Sequence, residues 1–207
     1  MKFRIGFMVL AASLLPAAAS LAADAAAGKG AYAVCAACHG QNGEGNLAMN
    51  APKIAGQEPW YLKRQLEAYK SGLRGTASGD AYGMQMRPMA MTVVDPTAED
   101  NLVAYIASLP ATPPAATVTG DAAAGKGAYA VCAACHGQNG EGNQQLGGPR
   151  LSGQSDWYLV RQIKNYNGGL RGYDSKDTYG MQMRPMAMTL NSDKAINDVV
   201  AYINTLK

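Results

Sequence analysis

The pentapeptide Cys35-Ala36-Ala37-Cys38-His39 constrains this chain more than any other stretch, and it recurs unchanged at Cys132-Ala133-Ala134-Cys135-His136. Two thiols three positions apart, followed at once by an imidazole, form the spacing that attaches a c-type haem. Each cysteine can add to one vinyl group of the macrocycle, while the adjacent histidine swings under the ring and binds the iron. The two copies use all 4 cysteines and both histidines of the 207-residue chain. No cysteine is left for a structural disulfide, and no third histidine can reach either iron from its other side. Two other uses of C-x-x-C compete: a tight or redox-active disulfide, and a four-cysteine zinc site. A zinc site would have to unite pairs lying 97 residues apart and would leave the histidines without a role. Repetition in identical surroundings favours haem. Cys35, Cys38, Cys132 and Cys135 are therefore expected to carry two haem c groups, and His39 and His136 to bind the two irons.

A shift of 97 superimposes the two halves without a gap: Asp24 to Asn46 repeats as Asp121 to Asn143, and Tyr82 to Thr92 repeats as Tyr179 to Thr189. A period that long, repeated once, is a duplicated domain and not a solenoid. Between the copies lies Pro110-Ala111-Thr112-Pro113-Pro114-Ala115-Ala116-Thr117, whose prolines favour an extended, stiff connector. The expected division is a signal peptide at 1–22, a first domain at 23–109, a linker at 110–120 and a second domain at 121–207. Each half has only about 90 residues and buries a modest core on its own. A haem packed inside it would supply the missing apolar volume.

The signal peptide is read from Met1-Lys2-Phe3-Arg4, the apolar run Ile5 to Leu15, and the small-x-small site Ser20-Leu21-Ala22. An uncleaved anchor is the competing reading. The apolar run is near the lower limit for a bilayer span and Pro16 interrupts it, so a periplasmic protein without a transmembrane segment is expected, with peripheral membrane association still open. Cleavage removes Lys2 and Arg4 and takes the formal charge from +3 to +1. Four haem propionates would bring it to about −3. No basic stripe remains for a nucleic-acid partner.

Within each half the patterning predicts three main helices and no strand, which makes the fold class all-α. The first runs through Ala25 to Cys35 (Ala122 to Cys132), with Gly28, Gly30 and Ala31 narrowing one side, before the loop that starts at Gly40. The second begins near Glu58-Pro59 and carries Tyr61, Leu62, Leu66 and Tyr69 at helical spacing. The third starts at Asp95-Pro96, or Ser192-Asp193 in the copy, with Asp95 and Ser192 as N-caps. Its apolar face holds Leu102, Val103, Ile106 and Leu109, matched by Val199, Val200, Ile203 and Leu206.

With both histidines committed, a protein ligand on the other face of each iron must be of another type. The segments Met84-Gln85-Met86-Arg87-Pro88-Met89-Ala90-Met91 and Met181-Gln182-Met183-Arg184-Pro185-Met186-Ala187-Met188 hold eight of the 11 methionines and read as loops. Methionine is an adaptable core filler, so most of these can be packing. A thioether is also a soft neutral donor that favours Fe(II) and raises the reduction potential. Met86 and Met183 are the preferred ligands, with Met89 and Met186 as alternatives. Trp60, Tyr61, Trp157 and Tyr158 can donate to haem propionates, although aromatic residues on amphipathic helices are more often core. Arg74, Arg171, Arg87 and Arg184 can pair with the same carboxylates.

The order C-x-x-C-H, Pro-x-Ile/Leu-x-Gly, methionine segment and C-terminal Tyr-Ile-x-x-Leu resembles class I cytochrome c. Two such domains in tandem after a signal peptide resemble the dihaem cytochrome c4 family over essentially the whole mature chain. The resemblance implies one covalently attached haem inside each domain, axial methionines at Met86 and Met183, and carbonyls of Pro52 and Pro149 accepting hydrogen bonds from His39 and His136. It also implies domains that face each other across a pseudo-twofold interface with propionate edges close together. The expected function is electron transfer in a bacterial respiratory chain, between a quinol-oxidising complex and a terminal oxidase or reductase, through transient contacts. The chain is not expected to be an enzyme. A dihaem peroxidase would need an exchangeable iron site and a distal acid/base. The other alternative is a haem subunit docked to a dehydrogenase or oxidase complex.

Overall fold

Two runs of four helices follow one another, related by the same shift of 97 that relates the sequences. The computed structural model describes residues 23–206, so the signal-peptide reading of residues 1–22 lies outside the described residues. The first half contains α1 (Ala25–His39), α2 (Pro59–Lys70), α3 (Ala81–Ala90) and α4 (Pro96–Ser108). The second contains α5 (Ala122–His136), α6 (Asp156–Asn167), α7 (Thr178–Ala187) and α8 (Asp193–Ile203). Among the described residues there is no strand, only the isolated bridges Asn46 with Ala51 and Asn143 with Gly148. No helix among them is long and apolar enough to cross a membrane.

Side-chain caps fix the helix starts. Asp24 and Asp121 accept from the free N–H groups of the first turns of α1 and α5, Asp95 does so for α4, and Ser192 for α8. Proline sits in the first turn of α2 and α4, where its missing N–H costs nothing.

The structure departs from the sequence expectation in three places, one being that α4 and α8 end at Ser108 and Ile203, before Leu109 and Leu206. The first helix continues beyond Cys35 to His39, because Ala36 and Ala37 sustain it and the first breaker is Gly40, which ends it at φ 85°. The methionine segments are helices and not loops. Asp80 and Asp177 cap them by accepting from Gly83 and Gly180, and Pro88 and Pro185 lie inside the last turns. The proline hides the helix from a sequence reading, since it breaks a longer helix but is tolerated near the end of this 10-residue one.

Each half has its own core. In the first, Tyr32 and Ala36 of α1 pack with Leu62, Val93, Leu102, Val103 and Ile106. In the second, Tyr129, Ala133 and Leu159 pack with Leu190, Ile196, Val199, Val200 and Ile203. The tightest crossing is α1 on α4. A Cβ on Gly28 would lie 2.0 Å from the Asn101 carbonyl oxygen, and one on Gly125 would lie 2.0 Å from that of Asp198. Gly30, by contrast, has nothing within 4 Å, so only one of the two helix glycines serves the packing.

The connector from Pro110 to Asp121 carries no regular structure. Its far end is tied down by Asp156, 1% exposed at the start of α6. That carboxylate accepts from the Thr117 and Val118 N–H groups, the Thr117 hydroxyl and Asn204. Burial opposes its charge, but these hydrogen bonds outweigh burial and hold its pKa below the ordinary value.

The two halves meet through reciprocal contacts, as an isologous interface requires. Arg64 donates to the Gly147 carbonyl and stacks over Tyr179, while its equivalent Arg161 donates to Asn50 and stacks over Tyr82. Glu58 accepts from the Arg150 N–H, and the equivalent Ser155 hydroxyl accepts from the Lys53 N–H.

Candidate haem centres

Gly40 turns the chain directly after His39, and the returning loop is pinned under the imidazole. The Gly45 N–H donates to the His39 carbonyl at 2.8 Å, and the Ile54 N–H donates to the Gly43 carbonyl at 2.8 Å. The Glu44 carboxylate accepts from the Asn42 N–H at 2.7 Å, and the Tyr32 hydroxyl donates to the Gly40 carbonyl at 2.7 Å. The second copy repeats these bonds at Gly142, Leu151, Glu141 and Tyr129.

Within that frame, Nδ1 of His39 lies 2.7 Å from the Pro52 carbonyl oxygen, and Nδ1 of His136 lies 2.7 Å from that of Pro149. A carbonyl can only accept, so Nδ1 carries the proton and Nε2 carries a free lone pair. Both histidines are 7% exposed, and burial lowers their pKa and keeps them neutral. A neutral imidazole oriented through its other nitrogen is the form that binds a metal.

Cys35, Cys38 and His39 stand together on the last two turns of α1 and line one cavity. None of the four cysteines is joined to another in a disulfide. Burial pushes the Cys35 and Cys132 thiols up in pKa. Among the described residues no group of three or more His, Cys, Asp or Glu side chains converges on one point, so the zinc reading has no site.

The cavity is apolar at its back, where Leu62, Leu66, Leu102 and Ile106 face it, and it receives Met86 and Met89 from α3. Within α3 and its cap, Met84, Met89 and Met91 are 53%, 42% and 49% exposed, and Met86 is the half-buried one. The second copy is the same: Met183 is half-buried while Met181, Met186 and Met188 are exposed. A thiol pair, a neutral imidazole, a thioether and an apolar slot form a donor set that fits haem c.

Sequence reasoning did not find that the first cavity is completed by the second half. Tyr158, Arg161 and Gln162 belong to its wall. Their contacts span 84 to 111 positions, and no local pattern announces them. The tryptophans also differ from the expectation that they are core. They flank the interface arginines, with Arg64 over Trp60 at 4.8 Å and Arg161 over Trp157 at 5.0 Å.

Arg74 and Arg171, 4% and 5% exposed, sit where the two halves meet. Arg74 donates to Gln65 at 2.7 Å and to Gln162 at 3.2 Å; Arg171 donates to Gln162 at 2.9 Å and to Gln65 at 3.1 Å. Each guanidinium thus bridges both halves, and each lies over a tyrosine ring, Tyr69 or Tyr166. Removing a guanidinium from water costs on the order of several kcal/mol unless hydrogen bonds and opposite charge replace the solvent. Burial alone would raise the pKa of Tyr158, but the two guanidiniums pull it below its ordinary value.

Two helical units, each with C-x-x-C-H at the end of its first helix and a methionine helix before its last, define a tandem c-type cytochrome. The cytochrome c family model matches residues 25–110 and again 122–207. Cytochrome c4 of Azotobacter vinelandii is 36% identical over 200 residues, covering 91% of each chain. The crystal structure of reduced recombinant cytochrome c4 from Pseudomonas stutzeri superposes with a TM-score of 0.71 at 32% identity, covering 90% of this chain and all of that one. A thiosulfate dehydrogenase electron acceptor of Stutzerimonas stutzeri is 32% identical over 181 residues, covering 81% of this chain and 76% of that protein. The chain belongs to the cytochrome c4 family, within the cytochromes c, and it carries two covalently attached haem c groups at its two C-x-x-C-H motifs.

Proposed function

We propose that this chain is a periplasmic electron carrier of a respiratory chain, moving electrons from a quinol-oxidising complex to a terminal oxidase or reductase. In this reading residues 1–22 are the export signal, 23–109 and 121–207 are the two domains, and 110–120 is the linker. Cys35, Cys38, Cys132 and Cys135 attach the haems. His39 and Met86 bind the first iron, and His136 and Met183 bind the second. The observation that carries the proposal is the pairing, in one cavity, of a neutral histidine held through Nδ1 with the one half-buried methionine of the methionine helix.

Bound haem supplies a one-electron Fe(III)/Fe(II) couple, and the chain decides how that couple behaves. The Pro52 carbonyl keeps the His39 ring from rotating, which limits rearrangement at each change of oxidation state. A neutral thioether favours the lower charge and raises the potential. Side chains from both domains line the first cavity. A histidine and a methionine from this chain would both be committed to each haem iron, which would leave no place there for a substrate, so the chemistry supplied would be one-electron transfer to a partner. Two such centres store two electrons or relay between two partners.

The thiosulfate dehydrogenase electron acceptor among its relatives supports a second reading for the donor, in which a periplasmic dehydrogenase reduces this chain. Both donors are tested in one assay, by mixing the purified ferric protein with membranes plus quinol or with a thiosulfate dehydrogenase plus thiosulfate. Catalytic reduction by quinol-supplied membranes supports the respiratory reading. Reduction only in the dehydrogenase mixture replaces it with the second.

A further inference from the structure

We infer that the outward methionines of the two methionine helices, Met84 and Met91 with their copies Met181 and Met188, are sacrificial oxidation sites that take up two-electron oxidants ahead of the thioethers of Met86 and Met183. The inference rests on the His/Met reading above and goes beyond it by giving a role to methionines that ligation leaves over.

Position on the helix separates the two kinds of methionine. Gly83, Met86 and Ala90 are spaced three and four apart and form the inward stripe of α3, with Gly83 and Ala90 buried and Met86 half-buried. Met84 and Met91 lie seven positions apart and so share another stripe. They are 53% and 49% exposed, and neither lines the haem cavity. In α7 and its cap, Met181 and Met188 are 48% and 56% exposed, against a half-buried Met183. Met89 is set apart from these, since it lines the cavity with Met86.

Apolarity alone does not account for them. Other exposed apolar residues differ between the halves: Leu47 corresponds to Gln144, Val94 to Asn191, and Met49 to Leu146. The segments Tyr82 to Thr92 and Tyr179 to Thr189 nevertheless match at every position. What an exposed methionine has and leucine lacks is a sulfur lone pair that accepts oxygen from a peroxide or a hypohalous acid. With hypochlorous acid an S–O bond forms, the O–Cl bond breaks, chlorine leaves as chloride and the O–H proton goes to water. Sulfur loses two electrons and chlorine gains them. The ligand sulfur is the poorer target, because it is half-buried and its lone pair is given to iron. Oxidation there would turn a soft apolar donor into a polar one, whereas sulfoxide at the outer positions disturbs no ligand and is reversed by sulfoxide reductases.

The test titrates the ferric holoprotein with hypochlorous acid in substoichiometric steps, reading the red charge-transfer band and mapping sulfoxides by peptide mass spectrometry. Sulfoxide is expected first at Met84, Met91, Met181 and Met188, with the band intact. Sulfoxide at Met86 or Met183 ahead of these overturns the inference. A variant combining Met84→Leu, Met91→Leu, Met181→Leu and Met188→Leu keeps the side-chain volume. It should lose the band at a dose that the wild type survives, and loss at the same dose in both proteins overturns the inference. If that variant does not load two haems by pyridine haemochrome, the order of oxidation in the wild type decides alone. A wild-type ferric protein without the red band before any oxidant is added would defeat the His/Met reading itself, a separate outcome from these.

Discussion

The proton on Nδ1 decides what the rest of the imidazole can do. Because the Pro52 and Pro149 carbonyls hold it, Nε2 of His39 and His136 is a lone-pair donor of fixed direction. The attaching residues were legible in the sequence because their chemistry is local, five consecutive positions with one plausible use. The thioether partner was narrowed to a segment, with Met86 and Met183 preferred and Met89 and Met186 as alternatives, because four methionines fall within eight positions and differ only in depth, which helix packing sets. Met86 and Met183 are the half-buried ones. At this scale the expectation is that Met86→Ala and Met183→Ala each remove about half of the weak red charge-transfer band of the ferric protein. Met89→Ala should leave it intact, and a halved band in that variant would reassign the ligand.

At the scale of the element, α1 and α5 carry the chemistry and must approach α4 and α8 closely to do so. Gly28 and Gly125 permit that approach. Gly28→Ala would press a methyl group into the Asn101 carbonyl, and overpacking of this kind costs about 1–3 kcal/mol. Gly30→Ala meets open space and replaces a poor helix former, so it should stabilise by about 0.5–1 kcal/mol. Guanidinium unfolding of the two variants should give opposite signs, and equal effects would contradict the packing. The sequence showed small residues along α1 but not which of them faces a partner, since that depends on where α4 crosses. The N-caps at Asp95 and Ser192 were readable because a cap bonds within its own first turn. The α3 and α7 helices were not, because the same residues that end a long helix, glycine and proline, are present inside these short ones.

For the whole molecule, duplication implies two centres, and the reciprocal interface makes them one device. The pairs Arg64 with Tyr179 and Arg161 with Tyr82 lock the same surfaces against each other from both sides. Shared glutamines between Arg74 and Arg171 continue that symmetry into the buried centre. The duplication was visible along the chain, but none of these contacts was, since each joins residues that only the docked domains bring together. A chain so built should take up its electrons without offering either iron to an external ligand. The direct test is a coulometric titration of the purified protein, followed by exposure of the reduced form to carbon monoxide. About two electrons per chain and an unchanged reduced spectrum are expected. One electron per chain, or a spectrum shifted by carbon monoxide, would contradict two closed His/Met centres.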